Sequence, residues 1–63
     1  MLSSREIIKK IESDGWFKVG QVGDHVQFKH PTKTGKVTVT HPKKDFSIKM
    51  VRTIEKQTGV RLL

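Results

Sequence analysis

Apolar residues recur along the chain in two rhythms, one helical and one alternating, and each predicts its element. Ile7, Ile8 and Ile11 lie at helical spacing, with Arg5, Lys9, Lys10 and Glu12 left for water. Ser3 precedes the run as an N-cap, and Glu6 completes a capping box. Leu2 and Ile7 hold the two positions of a hydrophobic staple. Gly15 supplies a left-handed stop, so the pattern predicts a first helix over 4–13. Trp16 to Val19 reads as a first strand and Gly20 to Asp24 as a turn. From His25 to His30 the rhythm alternates: Val26 and Phe28 share one face, and His25, Gln27 and Lys29 the other. After a loop at 31–35, rich in Pro, Thr and Gly, Lys36 to Thr40 alternates again with Val37 and Val39 as its apolar set. The two alternating runs form a hairpin whose apolar residues share a face.

A polar, proline-containing connection over 41–45 leads to Ser47, which caps a second helix. Phe46 and Val51 repeat the staple, Ile48, Val51 and Ile54 lie along one side, and Gly59 ends the helix. The tail at 60–63 has no pattern that assigns it an element. The expected architecture is α+β in the order α-β-β-β-α. It has a three-stranded antiparallel sheet with both helices on one face. The opposite face is then bare and carries His25, Gln27, Lys29, Lys36, Thr38 and Thr40.

Composition narrows this picture. At 63 residues the chain makes one domain, 1–63, with one thin core and no deep pocket. It has no cysteine, which rules out disulfides and cysteine-bound zinc and fits a reducing compartment. No apolar run suits a signal peptide or a membrane span, so a cytoplasmic protein without a membrane partner is expected. Thirteen Lys and Arg stand against six Asp and Glu. Residues 1–28 balance at four of each sign, while 29–63 hold nine basic and two acidic residues, so the whole net charge of +7 lies in the second part. Such a one-signed field attracts polyanions, nucleic acid among them, and equally suits an acidic protein partner.

Titratable side chains that suit catalysis are few. His25, His30 and His41 are the histidines, and there is no tyrosine. Imidazole has an unperturbed pKa of about 6.5, which suits proton transfer near neutrality. RNA cleavage needs a base for the 2′-hydroxyl, an acid for the departing 5′-oxygen and cations for the phosphorane. His25 follows Gly23-Asp24 at the mouth of the hairpin, opposite Val26 and Phe28, where no packing reason for a histidine exists. It is either a proton-transfer group or an ordinary surface residue at a strand start. His41 ends the other hairpin strand, hence at the same end of the sheet, and strict alternation puts it on the opposite face. It suits a second proton-transfer group, a phosphate contact, or a capping and packing residue. His30 belongs to the turn before Pro31.

The histidine spacing matches no zinc pattern, and acidic partners are scarce, so no metal is expected. A Ser-His-Asp hydrolase lacks its nucleophile turn here. The glycines are turn residues rather than a phosphate loop. Six lysines within 21 residues, Lys29, Lys33, Lys36, Lys43, Lys44 and Lys49, make the better constellation and are the candidate RNA contacts. Trp16 and Phe28 are assigned to the core rather than to base stacking, and with four aromatics in the chain a single-strand stacking surface is not expected.

Five segments, taken in order, resemble the HicA toxins of HicA–HicB toxin–antitoxin pairs. They are Arg5-Glu6-Ile7-Ile8-Lys9-Lys10-Ile11-Glu12, Asp14-Gly15-Trp16, and Gly23-Asp24-His25-Val26-Gln27-Phe28-Lys29-His30-Pro31. Val37-Thr38-Val39-Thr40-His41-Pro42-Lys43-Lys44-Asp45 and Ile54-Glu55-Lys56-Gln57-Thr58-Gly59 follow. The resemblance implies a fold similar to double-stranded-RNA-binding domains and the activity of a ribosome-independent mRNA interferase. It also implies an acidic HicB-type antitoxin that covers His25 and the basic surface. The family's catalytic histidine lies in a Gly-Ser-His motif, which falls on Gly23-Asp24-His25. Asp24 thus stands where serine is usual, an acid that either supports His25 or repels RNA. Thr40 stands where proline commonly precedes the His41 segment. The expectation is an endoribonuclease with His25 as general acid or base, the lysines on the phosphodiester, the 2′-hydroxyl as internal nucleophile, and no metal or other cofactor. The rival from the residues alone is a non-catalytic RNA-binding module. A weaker rival is a protein that binds an acidic partner and no nucleic acid.

Overall fold

The computed structural model describes residues 2–63. Its elements run α1 (Ser4–Ser13), β1 (Phe17–Val22), β2 (His25–Lys29), β3 (Val37–Thr40) and α2 (Ile48–Thr58). The strands form one antiparallel sheet in the order β1-β2-β3. Both helices lie on the sheet face that Val26, Phe28, Val37 and Val39 line, and with Ile7, Ile11, Val51 and Ile54 they make a single core. The shortest dimension, 17 Å, is what one helix layer on one sheet requires.

The helix starts follow from side-chain chemistry. Ser3 and Glu6 bond reciprocally as a capping box. Ser47 accepts the Met50 N–H, a contact of the kind that contributes about 0.5–2 kcal/mol. Along α2 the buried positions are Val51, Ile54 and Thr58; Ile48, expected on this stripe, is 53 % exposed. Phe46 explains the difference. It is only 2 % exposed, its N–H bonds to the Leu2 carbonyl, and so it occupies the core at this end of the helix.

The first strand departs most from expectation. It begins at Phe17 and continues to Val22, because Val19 forms a β-bulge between the pairs Lys18↔Phe28 and Gly20↔Gln27. The extra residue breaks the period of two, which hides the second half of the strand from pattern reading. The expected turn over 20–24 shrinks to Gly23-Asp24, between the paired residues Val22 and His25. Gly23 has φ +60° while Asp24 keeps a negative φ, the sign pattern of a type II′ hairpin turn. β3 starts at Val37, which leaves Lys36 in the preceding loop.

The tail folds back. Leu62 is 2 % exposed, and the Leu62 and Leu63 N–H groups donate to Glu55 Oε2 at 2.7 and 3.0 Å. Trp16 is also buried, and its indole N–H donates to the Thr58 carbonyl at 3.3 Å. His30 packs edge-on against that indole, with ring centroids 5.3 Å apart. Its Nδ1 accepts the Thr32 and Lys33 N–H groups, so Nε2 carries the proton it gives the Asp14 carbonyl at 2.8 Å.

Gly15 makes that contact possible. Its φ is +113°, and a Cβ there would lie 2.9 Å from His30 Nε2. Gly15→Ala is expected to lower stability by about 1 kcal/mol or more, read as a lower urea midpoint at constant m-value. An unchanged midpoint would mean that His30 moves aside at no cost.

Candidate functional site

The sheet face opposite the helices is a small grid whose rows are set by strand register. Val22, His25 and Thr40 form the first row, since Val22 and Thr40 both pair with His25. Gly20, Gln27 and Thr38 form the second, and Phe17 with Lys29 the third. Lys36 is absent from this grid because its loop precedes β3. Phe17, Gly20 and Val22 are the members that sequence reading missed. Phe17 lay in the expected strand with no face assigned to it, and the Val19 bulge concealed Gly20 and Val22, whose only signal was the run of β-formers on both sides of Gly20.

His25 stands on the central strand at the end next to the tight turn. Its side chain is 62 % exposed, and its Nε2 lies 3.5 Å from Asp24 Oδ1. Water screens a pair this exposed, so the carboxylate acts as a weak orienting neighbour rather than a lock. His41 lies one residue beyond Thr40, and its backbone N–H donates to the Asp24 carbonyl at 2.7 Å. Its ring is turned toward α1, where Nδ1 meets Ser4 Oγ at 2.7 Å. That hydroxyl already accepts the Lys43 N–H at 2.9 Å, so its own proton is available to donate to Nδ1. Ser4 also gives its backbone N–H to the Lys43 carbonyl at 2.8 Å. The geometry makes His41 a clip between α1 and the 41–43 segment, and does not bring its ring beside His25.

The six candidate lysines divide in the same way. Lys33 donates to Asp14 Oδ2 at 2.6 Å and to the Thr58 carbonyl at 3.0 Å, where it satisfies the C-terminal end of α2. It is the one member of the six found in an ion pair among the described residues. Lys43 is half-buried with its ammonium 5.5 Å from the centre of the Phe46 ring. Lys29, Lys36, Lys44 and Lys49 are exposed. Lys49 borders a groove of about 320 Å³ between the β3 edge and α2, with Phe46, Met50 and Ile54 among its lining residues. Neither a histidine nor a carboxylate lines that groove, so it offers surface rather than proton transfer. No group of three or more His, Asp or Glu side chains placed to hold a metal ion occurs among the described residues.

The family described as the HicA toxin of bacterial toxin–antitoxin systems matches residues 4–60. The chain belongs to that family. A solved structure described as a HicA3 and HicB3 toxin–antitoxin complex superimposes on this HicA chain with a TM-score of 0.88 and 30% identity. The match covers 98% of this chain and 100% of that one. No curated protein matches the sequence. The fold is the double-stranded-RNA-binding-domain-like arrangement of HicA, and no helix is long and apolar enough to cross a membrane among the described residues.

Electrostatics of this HicA chain give a test of the structural assignment of Lys33. The Lys33 ammonium, hydrogen-bonded to Asp14, holds that carboxyl below its ordinary value of 3.8. A depressed folded-state pKa contributes stability above the unfolded value and loses it as pH falls through the folded one. The melting temperature should therefore fall as pH drops below about 4, and less steeply in Asp14→Asn. Identical acid limbs in the two proteins would show that the ion pair contributes nothing to the fold.

Proposed function

We propose that this toxin is an RNA endonuclease, an mRNA interferase whose chemistry resides at His25. The supporting observation is the placement of that imidazole. It is the exposed histidine on the helix-free face, raised at the start of the central strand by a two-residue turn. His30 is held internally through both ring nitrogens, and His41 through Nδ1 on Ser4. An imidazole on the surface, outside the internal hydrogen bonds that hold the other two, suits acid–base catalysis.

In the reaction proposed, the 2′-hydroxyl attacks the adjacent phosphorus, and the bond to the 5′-oxygen breaks. His25 takes the proton from the nucleophile while water protonates the leaving 5′-oxygen, or His25 protonates that oxygen while water takes the nucleophile's proton. Exposed cations, Lys29, Lys36, Lys44 and Lys49, hold the phosphodiester and offset its growing charge. Lys43 contributes a more restrained charge beside Phe46. Lys33, already paired, supports the fold instead. No step requires a metal ion. Asp24 places a carboxylate beside the incoming phosphate, so it weakens RNA binding more than it helps His25. A HicB-type antitoxin, acidic where it meets this surface, would silence the toxin by covering His25. The likeness to a chain solved in a HicA3 and HicB3 complex supports that partner.

Purified protein should cleave single-stranded RNA in excess chelator and leave 2′,3′-cyclic phosphate ends, and His25→Ala should stay folded and lose cleavage. Cleavage by the variant, or cleavage abolished by chelator, would remove His25 or the metal-free route. Asp24→Ser should bind RNA more tightly, with the gain largest at low salt. Lost cleavage with unchanged binding would instead make the carboxylate a support for the imidazole.

A further inference from the structure

The RNA-cleaving reading leaves unexplained why an aromatic ring lies bare on the same face as His25. Phe17 is 48 % exposed, although Trp16 beside it is almost fully buried. Register puts Phe17 directly across from Lys29, so one aromatic face and one ammonium share the last row of the grid. Gly20, in the row between, has no side chain and separates Phe17 from Val22, itself 71 % exposed. Val19, at the bulge, is 44 % exposed. Across the row the ring meets an ammonium rather than another apolar side chain, a pairing that suits a nucleotide better than an apolar protein surface.

We propose that Phe17 is a base-stacking platform, with Lys29 as its phosphate contact, for one unpaired nucleotide of the RNA cleaved at His25. The proposal rests on the RNA-cleaving reading and narrows it, because only a base outside a duplex presents its face to an aromatic ring. Charge favours this occupant: the chain carries +7, and Lys29 is among its unpaired lysines. Four residues of strand separate Lys29 from His25, a span of about 13 Å. The stacked base is thus not the one at the broken bond. It fixes the direction in which the strand crosses the sheet, past the row of Gly20, Gln27 and Thr38.

The test measures binding in a His25→Ala background, so that the RNA survives. The probes are a short fluorescein-labelled oligouridylate, the same length carrying abasic positions, and a duplex. Phe17→Ala and Phe17→Leu should weaken oligouridylate binding about 5- to 100-fold, the loss of one base–aromatic stack. Phe17→Tyr should bind as the His25→Ala protein does. The abasic probe and the duplex should not distinguish these proteins. Leucine that restores binding would show apolar contact without stacking and overturn the proposal. So would unchanged oligouridylate binding by Phe17→Ala, including the case where only binding to the HicB-type partner is lost. If the His25→Ala protein binds no RNA even at low salt, the RNA reading itself falls. If RNA is bound and cleavage depends on His25 while Phe17 is inert, only this inference falls.

Discussion

Two polar clips, one at each end of the sheet, hold a core too small to fix every loop by itself. A domain of this length buries only about 60% of the surface its chain exposes when unfolded. At one end His30 ties the 30–33 turn to the Asp14 carbonyl and packs on Trp16, whose indole reaches the Thr58 carbonyl. Lys33 closes the same knot from the other side, on Asp14 and Thr58. At the opposite end Ser4 receives the 41–43 segment, and the His41 N–H holds the Asp24 carbonyl. Between the clips the alternation of β2 has no freedom: Val26 and Phe28 face the helices, so His25, Gln27 and Lys29 face away.

This arrangement gives three histidines three different conditions from one chemistry. His30 uses both ring nitrogens inside the fold, and its side chain is 9 % exposed. His41 uses Nδ1 on a buried serine. His25 uses neither nitrogen for packing, and its nearest charge is an exposed carboxylate at 3.5 Å. The turn that presents it is nevertheless fixed, by a glycine of positive φ on one side and by the clipped Asp24 carbonyl on the other. A hydrogen-bonded turn under an exposed imidazole suits a proton-transfer group on an open sheet face.

Most of the fold was legible because its signals are local. The Ser3–Glu6 box, the Phe46–Val51 staple, Gly59 and the alternation around Val26 and Val37 each act within a few residues. What was illegible depends on strand pairing and packing that no local pattern shows. The bulge at Val19 cancels the period of two, so the outer members of β1 could not be placed. Ile48 sits on the right stripe, but Phe46 has taken its space. The tail looks featureless until Glu55 is seen to accept two of its N–H groups. The exposed placement of His25 on the helix-free face was readable from the alternation of β2, while its catalytic role is what the family resemblance implies and belongs to the proposal. The inward commitments of His41 and Lys33 were not readable, since Ser4 and Asp14 lie 37 and 19 residues away.

On the RNA-cleaving reading, the absence of a deep cavity at His25 follows from the reaction. The nucleophile belongs to the substrate and is already next to the phosphorus, so the protein has no second reactant to enclose. What it must supply is one proton exchange and a positive field, and both can be mounted on an open sheet. The same openness limits how such a toxin can be restrained. Among the described residues the groove beside α2 holds no histidine, so on this reading control suits a partner surface that covers the open face and is negative enough to compete with RNA for it. Asp24 then acts on both competitors. A carboxylate beside His25 repels a phosphate and an acidic partner alike, so its net effect depends on which has the more flexible alternative contact. RNA keeps its contacts to the lysines away from this end of the sheet, whereas a partner that must cover His25 cannot avoid the carboxylate.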